Sequence, residues 1–397
     1  MKETKFKETE VGLTPLDWEV KKLGEMAEIC TGKRNGNEQT KLGRYPFFVR
    51  SETVYKIDSY SYDGEAIIVP GEGGIGKIFH YINGKFDYHQ RVYKISDFPE
   101  NIHVKFIYYY MKRFFGAWAM ENSVKATVDS LRLPTFENFK LIIPSSLSEQ
   151  QRIATALSQM DELISALDEQ INKKMLIKQA SMQQLLTAKT RLNGFSEPWK
   201  EVRFEDVVAR FATGLNPRQN FMLNSGGHCY YVTIKDFKDG VLSFDNCDKI
   251  DEKACLLINN RSDLRKGDLL FSSIGRVGDA YIIKETPKNW NINESVYNLR
   301  PNQKEITSDF LYYIIKSKTV YNKIQDAITG STLRSIKMNH LKVISFAIPP
   351  SLPEQQAIAS ILTAMDNEIQ ALQAQRDKYT LIKQGMMQQL LTGKIRI

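Results

Sequence analysis

The sequence predicts an α+β protein. Two globular α/β units are each followed by a long helix, the helices form an antiparallel coiled coil, and the two halves are related by a pseudo-twofold axis. Three observations carry this expectation. The chain matches itself at an offset of 205 residues, where 144–192 aligns without a gap on 349–397 and 28 of 49 positions are identical. The matched stretches carry apolar residues at alternating spacings of four and three, the signature of a helical seam. The stretches ahead of them are aromatic and β-branched runs cut by glycine, as strands and tight turns are.

A chain of 397 residues has room for two or three cored units, at about 100–200 residues each. Apolar residues make up 42% and charged residues 25%, a globular balance that excludes bulk disorder and disulfide-stapled miniproteins. The domains expected are 1–143, a first spacer helix in 144–192, a second globular unit in 193–348 and a second spacer helix in 349–397. Each globular unit opens on a tryptophan (Trp18, Trp199) followed by a Thr-Gly pair (Thr31-Gly32, Thr213-Gly214). Glycine-broken runs follow, EAIIVPGEGGIGKIFHYI in the first unit and GDLLFSSIGRVGDAYII in the second.

Both helices are rich in helix formers and free of proline beyond the first turn. Ser146 with Glu149, and Ser351 with Glu354, match a capping box, and Pro353 suits a first turn. The seam runs through Ile153, Leu157, Met160, Ile164, Leu167 and Ile171, and through Ile358, Leu362, Met365, Ile369 and Leu372. Lys174 and Arg376 interrupt it before 182–186 and 387–391 resume it, which predicts a change of packing partner midway. Ahead of the helices the same offset pairs 106–143 with 311–348, where only 4 of 38 positions match. The helices have stayed alike and the globular parts have diverged, as expected if the helices share one task and the globular parts perform different ones.

The charge is +8 with a pI near 9.0, which favours a polyanionic partner. The two helical regions, 147–192 and 352–397, net only +1 each, so the excess lies in the globular parts. A helix of about 43 residues is roughly 65 Å long. If the second helix returns along the first, the expected product is a rod with a reading head at each end. Such a rod would meet duplex DNA at two patches a helical turn of about 34–36 Å apart.

The pattern L-x-E-Q-Q-x-I-A occurs at Leu147, Glu149, Gln150, Gln151, Ile153 and Ala154, and again at Leu352, Glu354, Gln355, Gln356, Ile358 and Ala359. Each copy closes on LL-T-x-K. In order, spacing and duplication the chain resembles the specificity (S) subunits of type I restriction-modification systems, over essentially its whole length. The resemblance implies target-recognition domains that each read one half of a bipartite asymmetric site in double-stranded DNA, with the helices as spacer. It also implies methyltransferase (M) and restriction (R) subunits docked on this scaffold. The chemistry would lie on those partners, which would hold S-adenosylmethionine, ATP and magnesium, with no cofactor on this chain.

The residues themselves offer little for catalysis. GEGGIGK at 71–77 satisfies the start of a phosphate loop, but Ile78 replaces the metal-binding hydroxyl and the run continues as strand, so a β-turn is expected. Adenine methylation needs an N-P-P-[YF]-type loop, and Asn216-Pro217-Arg218 lacks the second proline and the aromatic. His80, His89, His103, His228 and His340 are too scattered for a metal or triad. Cys30, Cys229, Cys247 and Cys255 form no C-x-x-C pair, so reduced structural thiols are expected. A non-catalytic subunit is the reading, with no catalytic and no metal-binding residues.

DNA contacts are nominated by type and position. Lys33, Arg34, Asn35, Asn37 and Arg44 follow the first Thr-Gly turn, and Asn216, Arg218, Gln219 and Asn220 follow the second. Arg, Asn and Gln can read base edges bidentately. Arg50, Lys77 and Arg132, with Lys235, Arg276 and Arg334, lie in or beside turns and are assigned to phosphates, which fix register without carrying sequence information. Tyr108–Tyr110, Tyr312 and Tyr313 are expected in the core.

Two other classes stay open on sequence. One is a sequence-blind coiled-coil adaptor. The other is the specificity subunit of a related methylase-nuclease or orphan methyltransferase system. No run approaches the roughly 20 apolar residues of a membrane span, and the charged first twelve residues do not resemble a secretory signal, so a cytoplasmic protein without membrane contact is expected.

Overall fold

A computed structural model describes residues 4–124, 129–218, 220–330 and 334–397. The chain divides into two compact units, one built from 1–169 with 373–397 and the other from 170–372. The long helices Leu147–Leu185 and Leu352–Leu390 are unbroken and 39 residues each.

The first unit is framed by Trp18–Lys22 paired antiparallel with Lys140–Pro144, so the strand that enters the unit lies beside the strand that leaves it for the helix. Between them a six-stranded sheet runs in the order Glu28–Thr31, Val92–Ser96, Tyr62–Pro70, His80–Tyr88, Tyr45–Phe48, Val54–Ile57. Only the Tyr45–Phe48 and His80–Tyr88 pair is parallel. The helix Val104–Glu121 covers it with Phe106, Tyr109, Tyr110 and Phe115, all buried. Phe115 stacks on Phe136 with centroids 5.0 Å apart.

The second unit repeats the frame with Lys200–Arg203 against Ser345–Ile348. Its interior is split into a four-stranded antiparallel sheet and a three-stranded sheet that contains the parallel pair Cys229–Val232 and Trp290–Ile292. The helix Glu252–Ser262 packs beside the latter. It starts where Asp251 accepts a bond from the Ala254 amide at 2.7 Å, a side-chain N-cap.

Within each unit the two long helices run antiparallel. In the first, Glu149, Asp161 and Asp168 pair with Arg396, Lys383 and Arg376, so partner numbers fall as residue numbers rise. In the second, Arg191, Lys178 and Lys174 pair with Glu354, Asp366 and Glu368. Ile153, Leu157, Leu167, Ile171, Ile358, Leu362 and Ile369 are buried, while Met160, Ile164, Met365 and Leu372 are half-buried. Full burial of such a side chain contributes about 1.5–3 kcal/mol. The interruption marks a change of company: Lys174 and Arg376 turn to acids, Leu185 and Leu186 join the second core, and Leu390 and Leu391 join the first.

The capping-box expectation is corrected. Glu149 and Glu354 are nearly inaccessible, and their carboxylates are committed to Arg396 and Arg191 instead. The helix starts are tied in by the neighbouring glutamines. Gln150 Nε2 donates to the carbonyls of Pro144 (2.9 Å) and Asn101 (3.2 Å), and its Oε1 accepts from the His103 amide at 2.8 Å. Gln355 repeats this with Pro349 (3.0 Å), Glu305 (2.9 Å) and the Thr307 amide (2.9 Å). A buried amide must find such partners or carry a desolvation cost of about 1–3 kcal/mol, which explains its presence in both copies.

Candidate nucleic-acid interface

The Thr-Gly pairs sit where backbone meets backbone. A Cβ on Gly32 would collide with the Tyr88 carbonyl, and one on Gly214 with the Ile292 carbonyl. Neither glycine has a positive φ. The residue is required by closeness rather than by a left-handed turn.

In the first unit the chain past Gly32 bridges to the end of strand His80–Tyr88, where the Gln90 amide donates to the Arg34 carbonyl at 2.9 Å. Arg34 donates to Asp87, Glu38 and Ser59. Asp87, followed by Glu38, holds its guanidinium above the ordinary value. Asn35 opens a short turn whose Glu38 carboxylate accepts from the Asn35 amide at 2.6 Å. Lys33, Asn35 and Asn37 are exposed. Arg50 shares Glu72 with Arg91, at 3.1 Å for Arg50. Arg50, Gly36, Gln39, Tyr55, Gly73 and His89 line an open cleft of about 390 Å³. Burial first, then Arg50 and Arg91, holds His89 below the usual imidazole value. Arg132 is exposed, next to Leu131, whose amide donates to the Gly71 carbonyl at 2.8 Å. Of the nominated residues Arg50 lines the cleft; Arg34 and Asn35 precede its Gly36 in the chain, and the segment bearing Arg132 is tied to Gly71, two residues before its Gly73. Arg44, set against the Tyr45 ring at 5.8 Å, and Lys77, past a turn packed on Gly116, are not among the residues lining it. The 71–77 stretch is a turn leading to strand, as expected.

In the second unit Tyr231 donates to the Leu215 carbonyl at 2.6 Å. Asn220 Nδ2 donates to the Asn216 carbonyl at 2.9 Å, closing the turn that exposes Arg218 and Asn220. Gln219 lies outside the described residues. Arg276 bonds Asp279 at 2.8 Å and the carbonyls of Ile234 and Phe237 at 2.8 and 3.1 Å, pinning the turn that carries Lys235. Lys235 reaches Asp248 at 3.4 Å. The Gly275 amide donates to the Arg334 carbonyl at 3.2 Å. Lys235, Arg276 and Arg334, separated by up to 99 positions in sequence, therefore meet at one place.

Asp87, Glu72 and Arg91 were not legible as functional in the sequence. Each is a charged residue beside strand-like runs, and only the fold brings it to the loops. Tyr109, Tyr110 and Tyr313 lie in the core as expected, while Tyr108 and Tyr312 are half-buried at its edge. Tyr109 donates to Asp161 at 2.7 Å and Tyr313 to Asp366 at 2.8 Å. Among the described residues no group of three or more His, Cys, Asp or Glu could hold a metal ion, and no helix is long and apolar enough to cross a membrane.

Two copies of one α/β domain with basic, loop-built edges define a DNA-specificity protein. The chain belongs to the family described as type I restriction modification DNA specificity domain, whose model matches it twice, over residues 15–176 and 196–378. It is 23% identical to the type I restriction enzyme MjaVIII specificity subunit of Methanocaldococcus jannaschii, across 100% of this chain and 97% of that protein. It is 32% identical to the EcoDI specificity subunit of Escherichia coli over 162 residues, which is 40% of this chain and 35% of that protein. The fold is similar to the crystal structure of a type I restriction-modification S subunit from M. genitalium. The TM-score is 0.66 and the identity 16%, over 94% of this chain and 96% of the other.

Proposed function

We propose that each unit reads one word of a bipartite, asymmetric site in double-stranded DNA and that the length of the paired helices sets the gap between the words. Methylation and cleavage belong to methyltransferase and restriction subunits assembled on this chain in the cytoplasm. Those partners hold S-adenosylmethionine, ATP and magnesium, and this chain contributes recognition without catalysis. The carrying observation is a shared frame with unlike loops. Gly32 and Gly214, and Gln150 and Gln355, make the same contacts in both units, while the loops after the Thr-Gly turns are held by different bonds.

Docking of one partner twice is supported by Leu176 and Ile177, which are exposed (67% and 44%), and by Leu381 and Ile382, exposed to the same degree (68% and 41%) at the matching positions of the repeat. Apolar side chains kept in the open through duplication mark a surface that is covered in an assembly.

The test is to co-express the chain with a type I methyltransferase subunit and map modified bases across the host genome. Two short words with a constant unread gap are expected. Exchanging 15–143 for the corresponding unit of a relative should change one word only, and four residues inserted after Ile171 should widen the gap by about 1–2 base pairs. Modification without sequence preference, or at one continuous word, overturns the reading.

A further inference from the structure

Asp87 is 1% exposed at the end of strand His80–Tyr88 and is bonded on every side. Its Oδ1 accepts from Ser61 Oγ at 2.8 Å and from the Tyr88 amide at 3.0 Å. Its Oδ2 accepts from Ser59 Oγ at 3.0 Å and from Arg34 Nε at 3.1 Å. The other two nitrogens of Arg34 donate to Glu38 and to Ser59, each at 3.0 Å. One N–H on each nitrogen of the Arg34 guanidinium is thereby committed, which holds it in a single orientation. It fixes the stretch in which Lys33, Asn35 and Asn37 stay exposed.

We infer that Asp87, acting through Arg34, is a positioning residue that sets how the 33–37 turn is presented to DNA. This rests on the DNA-reading function proposed above. A buried carboxylate is costly unless paired and hydrogen-bonded, so Asp87 demands its arginine, and the arginine carries the turn with it.

The second unit shows what changes when the charge is absent. Asn291 holds the matching station: it is 1% exposed, and its Oδ1 accepts from the Ile292 amide at 3.0 Å as Asp87 does from Tyr88. Its remaining bonds go to Ser262 Oγ at 2.7 Å, the Cys255 carbonyl at 3.4 Å and Asn259 Oδ1 at 3.5 Å, not to an arginine. The corresponding loop is held by Tyr231 and by Leu215, Phe221 and Leu223 packed on Cys229, Ile250 and Ile258. One reading loop is fastened by an ion pair and the other by apolar packing. The charge at position 87 is therefore a determinant of one word alone.

The experiment uses the full chain co-expressed with its methyltransferase, with genome-wide modification mapping and thermal unfolding run in parallel. Asp87→Asn keeps the shape and removes the charge that holds Arg34. It should lower base discrimination about tenfold in one word, as expected for losing a charge-assisted bond, and leave the other word unchanged. Arg34→Lys, on the exposed side of the pair, should affect the same word. Tyr231→Phe should affect the opposite word. Unchanged preferences in Asp87→Asn and Arg34→Lys overturn the inference while leaving the two-word reading intact. Equal weakening of both words alongside a lowered melting temperature also overturns it, because that is the mark of a merely structural residue. A native chain that directs no two-word modification overturns both.

Discussion

Lys383 reaches across from one long helix to Asp161 on the other, and Tyr109 donates to the same carboxylate. An equivalent set forms in the second unit from Lys178, Asp366 and Tyr313, with the lysine and the acid exchanged between the helices at the repeat offset of 205. Such a polar set in an otherwise apolar seam fixes register, because sliding either helix by a turn would strand the lysine, whose side chain is 11% exposed. Burial already pulls the Lys383 ammonium below its ordinary value, with Asp161 opposing.

Removing the acid tests this. Asp161 keeps 40% of its side chain exposed, so solvent screens the pair. Asp161→Ala is expected to cost about 1–3 kcal/mol in urea unfolding. Asp161→Ala with Lys383→Met should recover most of it, since no cation is then left unpaired. Equal losses in the single and double variants would contradict the register role.

At Gly32 and Gly214 a methyl group would meet a backbone carbonyl that cannot rotate aside. Gly32→Ala and Gly214→Ala should each destabilise by about 2 kcal/mol or more. Each should impair one DNA word, and not the same one. Modification mapping of the two variants decides it.

Acid should affect the first unit through its histidines. Burial is the main cause holding His80, His89 and His103 below the usual value of 6.5. With the folded value below the unfolded one, the unfolded chain binds more protons between the two. Their contribution is thus fully present above about pH 6.5 and is lost as the pH falls through the lowered values. His80→Asn with His103→Asn should flatten the stability profile of the chain between about pH 7 and 5. An unchanged profile would show that other groups control it.

Leu176 and Ile177, and their counterparts Leu381 and Ile382, should matter to assembly rather than to folding. Replacing either pair with serine is expected to change stability by no more than about 0.5 kcal/mol. It should remove about half of the co-purifying methyltransferase, and changing both pairs should remove nearly all of it. Undiminished co-purification would place docking elsewhere.

The helices were legible because a 3.5-residue period over 39 residues and a gapless repeat leave few alternatives. The seam from Ile153 to Leu372 followed directly. What Glu149 and Glu354 do did not follow. A local box and a long-range arginine satisfy the same carboxylate, and only the fold brings Arg396 and Arg191 to the helix starts. The loops nominated for DNA contact were located through Thr-Gly and their basic residues, yet the bonds that hold them were not. Arg34 looks identical in sequence whether it faces DNA or Asp87, and Asp87 lies in a run whose flanking aromatics signal only strand. Lys235, Arg276 and Arg334 were nominated separately. Their meeting depends on a carbonyl turn held by Arg276, a tertiary event without a local signature.

The first unit draws on two stretches far apart in sequence: Met387, Leu390 and Leu391 complete the core around Trp18 and Phe106. During synthesis the ribosome releases 170–372 before the segment that seals that core exists. The 1–169 part of that unit is therefore expected to keep an apolar face open until 373–397 is made, while 170–372 can close ahead of it. A chain lacking 388–397 should therefore expose the core around Trp18 and Phe106, rather than 170–372, to proteolysis.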